Sequence, residues 1–135
     1  MSATSTKLEN LILLKAIPES VICRAEVLHS DIRRARVWST AFSVAASLKV
    51  SSSPFSTVSL ILKYTDRCGE HAVFIDSTKN TKDKLILSGV ARLNVVSEIL
   101  KIDIYAFVPC NKILVSLEQV HINPIRSAPF NQVSA

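Results

Sequence analysis

The segment Trp38–Ser51 alternates bulky apolar residues with small ones along its whole length. Successive strand side chains point to opposite faces, so this alternation predicts a strand with one core face and one face of small groups. The predicted core face consists of Trp38, Thr40, Phe42, Val44, Ala46, Leu48 and Val50. A strand of this length is expected to bend or to contain a bulge. The rest of the chain must therefore supply a layer that covers the Trp38 face.

Other alternating segments raise the predicted number of strands to seven. The six further strands are Val21–His29, Thr57–Thr65, Ala72–Asp76, Leu85–Leu93, Ile99–Val108 and Lys112–Ile122. Leu85–Leu93 is apolar at both parities, which predicts burial from two sides. The apolar set changes parity within the last strand, which predicts a bulge near Glu118–Gln119. The intervening segments are predicted to be polar loops or connections: Asp66–His71, Ser77–Lys84 and Asn94–Glu98.

The N-terminus is predicted to form a short helix over residues 7–16. Thr6 and Glu9 have the spacing of a capping box, and Pro18 ends the apolar run that follows. The connections between the strands are too short for helical crossovers, which favours antiparallel pairing. The predicted fold class is mainly β: an antiparallel β-sandwich or compact jelly-roll-like barrel of about seven strands with a short N-terminal helix. We expect one domain, with residues 1–18 helical, 19–123 forming the sandwich and 124–135 an irregular tail.

The composition limits the cellular compartments in which we expect this protein. Its apolar runs are shorter than the roughly 20 residues of a membrane span, and Glu9 interrupts the segment where a secretory signal would lie. The three cysteines, Cys23, Cys68 and Cys110, are an odd number, which favours free thiols in a reducing compartment. These features predict a cytoplasmic protein.

The densest polar cluster is Asp66–His71, in which Cys68 and His71 are weak candidates for metal ligands. A structural zinc site needs four ligands, and no second pair with suitable spacing exists in the sequence. A cysteine–histidine–acid catalytic site is weaker still, because neighbours in sequence rarely point at one atom and no nucleophile elbow or oxyanion hole is indicated. We expect a protein without metal, cofactor or enzymatic activity. A small metal-dependent or thiol enzyme is the alternative.

Two basic clusters are candidates for phosphate or nucleic-acid binding: Arg33, Arg34 and Arg36, and then Lys79, Lys82 and Lys84. Arginine holds phosphate by bidentate hydrogen bonds, and the net charge of +5 is compatible with an anionic partner. The alternative is that these are solvated turn charges. Trp38 and Tyr64 are predicted to be core residues. The exposed faces are expected to lack the paired aromatic side chains that stack bases.

Together these features favour a non-enzymatic structural or binding protein that self-associates into a homo-oligomer. Its basic loops would contact nucleic acid or an anionic membrane surface, and no small-molecule substrate is expected. Viral coat, matrix and movement proteins are the functional class in which such domains are common. A monomeric adaptor or inhibitor that binds a host protein by a strand edge is a second hypothesis.

Overall fold

The computed structural model describes residues 11–28, 37–51, 57–79, 84–108 and 114–125. These residues form seven strands and one helix. In chain order the elements are β1 (Leu11–Ala16), α1 (Glu19–Leu28), β2 (Val37–Ser51), β3 (Thr57–Asp66), β4 (Gly69–Lys79), β5 (Lys84–Val96), β6 (Lys101–Phe107) and β7 (Leu114–Ile125). No helix within these ranges is long and apolar enough to cross a membrane.

The strands form two antiparallel sheets. The first sheet has four strands in the order β1-β6-β3-β4, and the second has three strands in the order β5-β2-β7. Every paired strand runs antiparallel to its neighbour. The predicted fold class, a mainly β antiparallel sandwich of seven strands, is confirmed. The helix and several element boundaries differ from the prediction.

The predicted core strand is the centre of the three-stranded sheet. β2 pairs with β5 on one side and with β7 on the other. Its even-numbered residues are all buried, whereas most of the small residues on its other face are exposed or half-buried. The predicted bulge is also confirmed: Ser47 lies opposite Gln119 and Leu48 opposite Leu117, which leaves Glu118 as the extra residue. The irregularity thus lies on β7.

The core lies between the inner faces of the two sheets. β2 contributes Trp38 and Phe42, β3 contributes Leu60 and Leu62, and β6 contributes Ile102, all of them buried. Each such side chain contributes about 1.5–3 kcal/mol when it is removed from water. The alternating strands of both sheets therefore supply most of the core, and residues 22 and 25 from the segment before β2 add to it.

The predicted N-terminal helix over residues 7–16 is wrong for the described part, because residues 11–16 are strand β1. The backbone of β1 pairs with β6 at the edge of the four-stranded sheet. Its Ile12 and Leu14 pack against the core, while Leu13 is exposed on the other face. An apolar segment of this kind suits an edge strand, and tertiary pairing outweighs the local capping signal.

The predicted strand Val21–His29 is also wrong, because α1 begins at Glu19 and ends at Leu28. Pro18 precedes the first turn, and its carbonyl oxygen accepts a hydrogen bond from the Val21 amide (3.1 Å). Ile22 and Ala25 are buried three residues apart, which is a helical spacing. The helix packs against β7 and β6, which belong to different sheets.

Several predictions about loops, burial and element boundaries need correction. β5 is buried on one face only, since Ile86 and Val90 are exposed on the other, and it continues to Val96 through the predicted connection. The predicted loop over Asp66–His71 is a tight hairpin in which only Arg67 and Cys68 lie between β3 and β4. The predicted loop over Ser77–Lys84 is shorter than expected, since β4 runs to Lys79. The predicted tail boundary also moves, since β7 extends to Ile125.

The two sheets approach each other closely where β4 passes β5. A Cβ atom on Gly89 would lie 2.8 Å from the carbonyl oxygen of Ile75, so only glycine fits this position without displacement of the backbone. Ile75 is the extra residue of a bulge in β4. The Ser88 amide also donates a hydrogen bond to Asp76 Oδ2 (3.0 Å). These contacts close one side of the sandwich.

Candidate interaction surface

Only two of the six basic candidates fall within the described residues. Arg33, Arg34, Arg36 and Lys82 lie outside them. Lys79 is exposed at the end of β4, and Lys84 is exposed at the start of β5.

Lys84 already has an acidic partner. Its Nζ atom lies 3.1 Å from Glu118 Oε1, and Lys49 Nζ lies 4.0 Å from the other oxygen of the same carboxylate. Glu118 is available for both lysines because the bulge in β7 places it as the extra residue beside β2. The Glu118 carboxylate therefore neutralises part of the positive charge at this end of the three-stranded sheet.

The Asp66–His71 cluster has a structural role in the described residues. Asp66 is buried and accepts hydrogen bonds from the amides of Cys68 (2.8 Å) and Val96 (2.9 Å). The amide of Gly69 (3.2 Å) and the Nε2 atom of His71 (3.0 Å) also contact Oδ1 of this carboxylate. The carboxylate thus joins the β3–β4 turn to the end of β5, which lies in the other sheet.

The environment of Asp66 lowers its pKa below the ordinary value of an aspartate. Burial alone would raise the pKa of this carboxyl, but hydrogen bonds from the Val96 amide, the His71 ring and the Cys68 amide outweigh that effect. The ionised form is therefore the one that the fold stabilises.

Within the described residues, the two weak metal candidates, Cys68 and His71, do not form a metal site with further donors. Cys68 is an exposed free thiol in the turn, and His71 is engaged with Asp66. Across the described ranges, no group of three or more histidine, cysteine, aspartate or glutamate side chains is arranged to hold a metal ion. Cys23 is also an exposed free thiol, whereas Cys110 lies outside the described residues.

Trp38 and Tyr64 are core residues, as predicted, and they donate hydrogen bonds to the last part of β5 and to the residue that follows it. Trp38 is buried, and its Nε1–H donates a hydrogen bond to the Ser97 carbonyl (2.9 Å). Tyr64 Oη donates to the Asn94 carbonyl (2.8 Å). Burial raises the pKa of the Tyr64 phenol, so it remains a hydrogen-bond donor at neutral pH. Trp38 therefore anchors the residue that follows β5, and Tyr64 anchors the last part of β5 itself.

The outer face of the four-stranded sheet carries a continuous set of apolar side chains, which we call the outer apolar face. Its members are Leu11, Leu13, Ile61, Phe74, Tyr105 and Phe107. The strand register aligns four of them in one row across all four strands, since Leu13 pairs with Tyr105, Tyr105 with Ile61 and Ile61 with Phe74. Leu11 and Phe107 form a second, shorter row beside it.

The outer apolar face is accessible to solvent. Phe74 is 61% exposed, Leu13 55% and Phe107 38%, while Tyr105 and Ile61 at the centre are half-buried. Single exposed apolar residues are common on proteins, but a contiguous apolar patch marks an interaction site. The alignment in one row distinguishes these residues from scattered surface leucines.

Two ion pairs lie beside the outer apolar face. Lys63 Nζ lies 3.5 Å from Glu70 Oε1 and 5.2 Å from the centroid of the Tyr105 ring. Lys101 Nζ lies 3.3 Å from Asp103 Oδ2. Among the described residues, the other carboxylate oxygen of Asp103 is buried and has no hydrogen-bond partner. The centre of this face is thus apolar and close to electrically neutral.

The expectation that exposed faces lack paired aromatic residues is wrong. Tyr105 and Phe107 lie two residues apart on the outer side of β6, and Phe74 lies in the Tyr105 row. The signal was present in the sequence, because Phe107 has the parity of Lys101 and Asp103 in β6. Only the strand order, however, brings Phe74 and Leu13 into the same row from distant parts of the chain.

The small-residue face of β2 is less apolar. Ser39 and Ser43 are exposed on it, and Ile86 and Val90 are exposed on the neighbouring strand β5. Helix α1 packs beside β7 and β6. The described part of the chain therefore leaves much of this second face open to solvent, with serine side chains between its apolar groups.

Comparisons with known proteins indicate the fold alone. No protein-family model and no curated protein match the chain. A crystal structure of the CBM22-1–GH10 modules of the N-terminal endo-1,4-beta-D-xylanase 10B from Clostridium thermocellum, complexed with xylohexaose, is similar with a TM-score of 0.51 and 12% sequence identity. The match covers 67% of this chain and 18% of that chain. This similarity agrees with the β-rich architecture described above.

Proposed function

We propose that the protein is a non-enzymatic, self-associating binding protein whose working surface is a sheet face rather than a cleft. The observation that carries this proposal is the row of exposed apolar side chains across all four strands of one sheet. Removing an apolar side chain from water contributes about 1.5–3 kcal/mol when burial is complete. A partner that covers this row removes apolar surface from water, and this burial contributes favourable free energy to binding.

The position of the polar cluster supports a binding role rather than a catalytic one. The Asp66 carboxylate is buried and engaged by backbone amides from two sheets, and His71 contacts the same carboxylate. A catalytic acid or base has to reach a substrate. The polar groups of this cluster instead connect the turn to the neighbouring sheet.

The second part of the proposal concerns an anionic partner. The arginines Arg33, Arg34 and Arg36 precede the central strand β2, and Lys79 and Lys84 are exposed where β4 ends and β5 begins. Phosphate groups of nucleic acid or of anionic lipid are the chemistry that such clusters bind. Self-association combined with phosphate binding is typical of viral coat, matrix and movement proteins, and we propose this class for the chain.

A size measurement with and without single-stranded RNA tests the proposal. We expect the wild-type protein to exceed the mass of a monomer in light scattering and to form a larger complex when RNA is added. Replacement of Arg33, Arg34 and Arg36 by alanine should weaken RNA binding and reduce its salt dependence by about 0.7 log units for each lost phosphate contact. Self-association should be unchanged in this variant.

Two further samples separate the sources of phosphate. Vesicles with anionic headgroups replace RNA in one series, and neutral vesicles serve as the control. A monomeric mass in every sample, with no binding to RNA or to anionic vesicles, would contradict the proposal and favour the adaptor hypothesis. Equal RNA binding by wild type and the triple variant would contradict the assignment of the arginines.

A further inference from the structure

We infer that the outer apolar face binds a second copy of this chain, packed face to face about a two-fold axis. This inference rests on the proposed function and specifies its partner and its surface. The two copies would form a four-layered stack in which the four-stranded sheets are in the middle. Sheets that pack face to face are separated by about 10 Å, which leaves room for one layer of interdigitated side chains from each copy.

The row of four apolar residues suits a self-complementary contact. Tyr105 and Ile61 occupy its centre, and Leu13 and Phe74 occupy its two ends on the edge strands β1 and β4. In a two-fold interface the same patch serves both partners. Aromatic residues near the centre of an interface commonly contribute most of its binding energy. Tyr105 and Phe107 on β6 are the candidates for that role.

The charge balance favours a second copy over nucleic acid on this face. Lys63 is paired with Glu70, and Lys101 is paired with Asp103. In the part of the chain that the structure describes, two lysines thus lie beside two carboxylates at the centre of the face, and this balanced charge does not favour a polyphosphate backbone there. Two copies with balanced charges also avoid the like-charge repulsion that a basic face would impose on a two-fold contact.

The dimensions of the face are sufficient for a modest dimer. Four strands at about 4.8 Å spacing and seven residues of β6 at about 3.3 Å each outline roughly 20 by 23 Å. Two such faces cover about 900 Å² as flat outlines. Side chains project from a sheet, so the accessible area that is buried is larger, about 1,000 Å² or more. This value is near the lower limit for a specific interface, so we expect a micromolar rather than a nanomolar dimer.

The outer face of the three-stranded sheet is the competing surface. Its most exposed apolar residue is Ile86, at 73%, and the register places Ile86 opposite Ser47 of β2. Serine residues along β2 interrupt the apolar groups there, and they would lose water without gaining an equivalent partner. The four-stranded sheet therefore offers the more favourable contact.

Matched charge substitutions test the inference. Phe74→Asp places an unpaired carboxylate in the proposed interface, whereas Ile86→Asp places one on the other sheet. Sedimentation equilibrium should give the same dimer dissociation constant for wild type and Ile86→Asp. We expect at least a hundred-fold weaker association for Phe74→Asp, because a two-fold contact contains the substitution twice. Leu13→Asp, at the opposite end of the row, should also weaken dimer association.

The outcomes are distinguishable from failure of the proposed function. All four proteins should share one far-ultraviolet circular dichroism spectrum, because Phe74, Leu13 and Ile86 are exposed and their replacement leaves the core intact. Association of wild type that Phe74→Asp leaves unchanged would overturn the inference but not the proposed self-association. A monomeric wild type at about 100 μM would overturn both. A monomer that binds single-stranded RNA or xylohexaose, and loses that binding in Phe74→Asp, would assign the face to that other partner.

Discussion

Replacement of Trp38 by alanine is expected to lower the free energy of unfolding by about 3–5 kcal/mol. Trp38 is 2% exposed at the start of the core face of β2. Its removal leaves a cavity in the core, and the Ser97 carbonyl loses the hydrogen bond from the indole N–H. Because a domain of this size is stable by about 5–15 kcal/mol, the variant should be partly or largely unfolded at physiological temperature.

Urea denaturation followed by circular dichroism measures this effect. Val37→Ala is the matched control, since Val37 is the adjacent residue on β2 and is 56% exposed. We expect the control to change the unfolding free energy by less than about 0.5 kcal/mol. Equal stability of the Trp38→Ala and Val37→Ala variants would show that β2 is not the central core strand.

Replacement of Asp66 by alanine is expected to cost about 3–5 kcal/mol, which is comparable to the loss of Trp38. The carboxylate accepts hydrogen bonds from the amides of Cys68, Gly69 and Val96. Its removal leaves these partly buried donors without their acceptor, and a donor that water cannot reach costs about 1–3 kcal/mol when it is unsatisfied. Glu70→Ala, an exposed acid on the same hairpin, is the matched control and should cost less than about 1 kcal/mol.

Asp66 also determines how the stability of the fold changes at acidic pH. Because its pKa is lower in the folded state than in the unfolded chain, the carboxylate stabilises the fold above the unfolded pKa of about 3.9. This contribution is lost as the pH falls from about 4 toward the folded pKa. Urea midpoints between pH 2 and pH 7 should therefore decline more steeply for wild type than for Asp66→Asn. Parallel profiles would contradict this role of Asp66.

Alternation of side chains was sufficient to predict the sandwich. The parity of β2 identifies its buried residues because a strand has a period of two regardless of what covers it. The change of parity in β7 likewise predicts the bulge at Glu118. Both features are local in sequence, so no knowledge of the strand order was needed.

The N-terminal region shows where local patterns are insufficient. Leu11–Ala16 has a helix start signal before it, yet its backbone pairs with β6, which lies about 90 residues later in the chain. The predicted strand Val21–His29 alternates in sequence, but burial of Ile22 and Ala25 in α1 follows a helical spacing. A short segment can satisfy both periods, and the contact that decides between them is tertiary.

The candidate site could be predicted only in part. The Asp66–His71 cluster was found from its composition, but its role depends on the Val96 amide from another strand. The outer apolar face was missed because its members are contributed by β1, β3, β4 and β6, and their alignment depends on the strand order. Local alternation assigns a residue to a face of its own strand, whereas a binding surface requires the neighbours as well.

Sedimentation velocity of the wild-type protein at low and high salt is the most direct test of self-association through an apolar face. We expect the average sedimentation coefficient to rise between about 1 and 100 μM, and the rise to be the same or larger at high salt, since apolar contacts are not screened. A single monomeric coefficient at every concentration would contradict self-association. Association that disappears at high salt would show that charged groups, rather than the outer apolar face, hold the copies together.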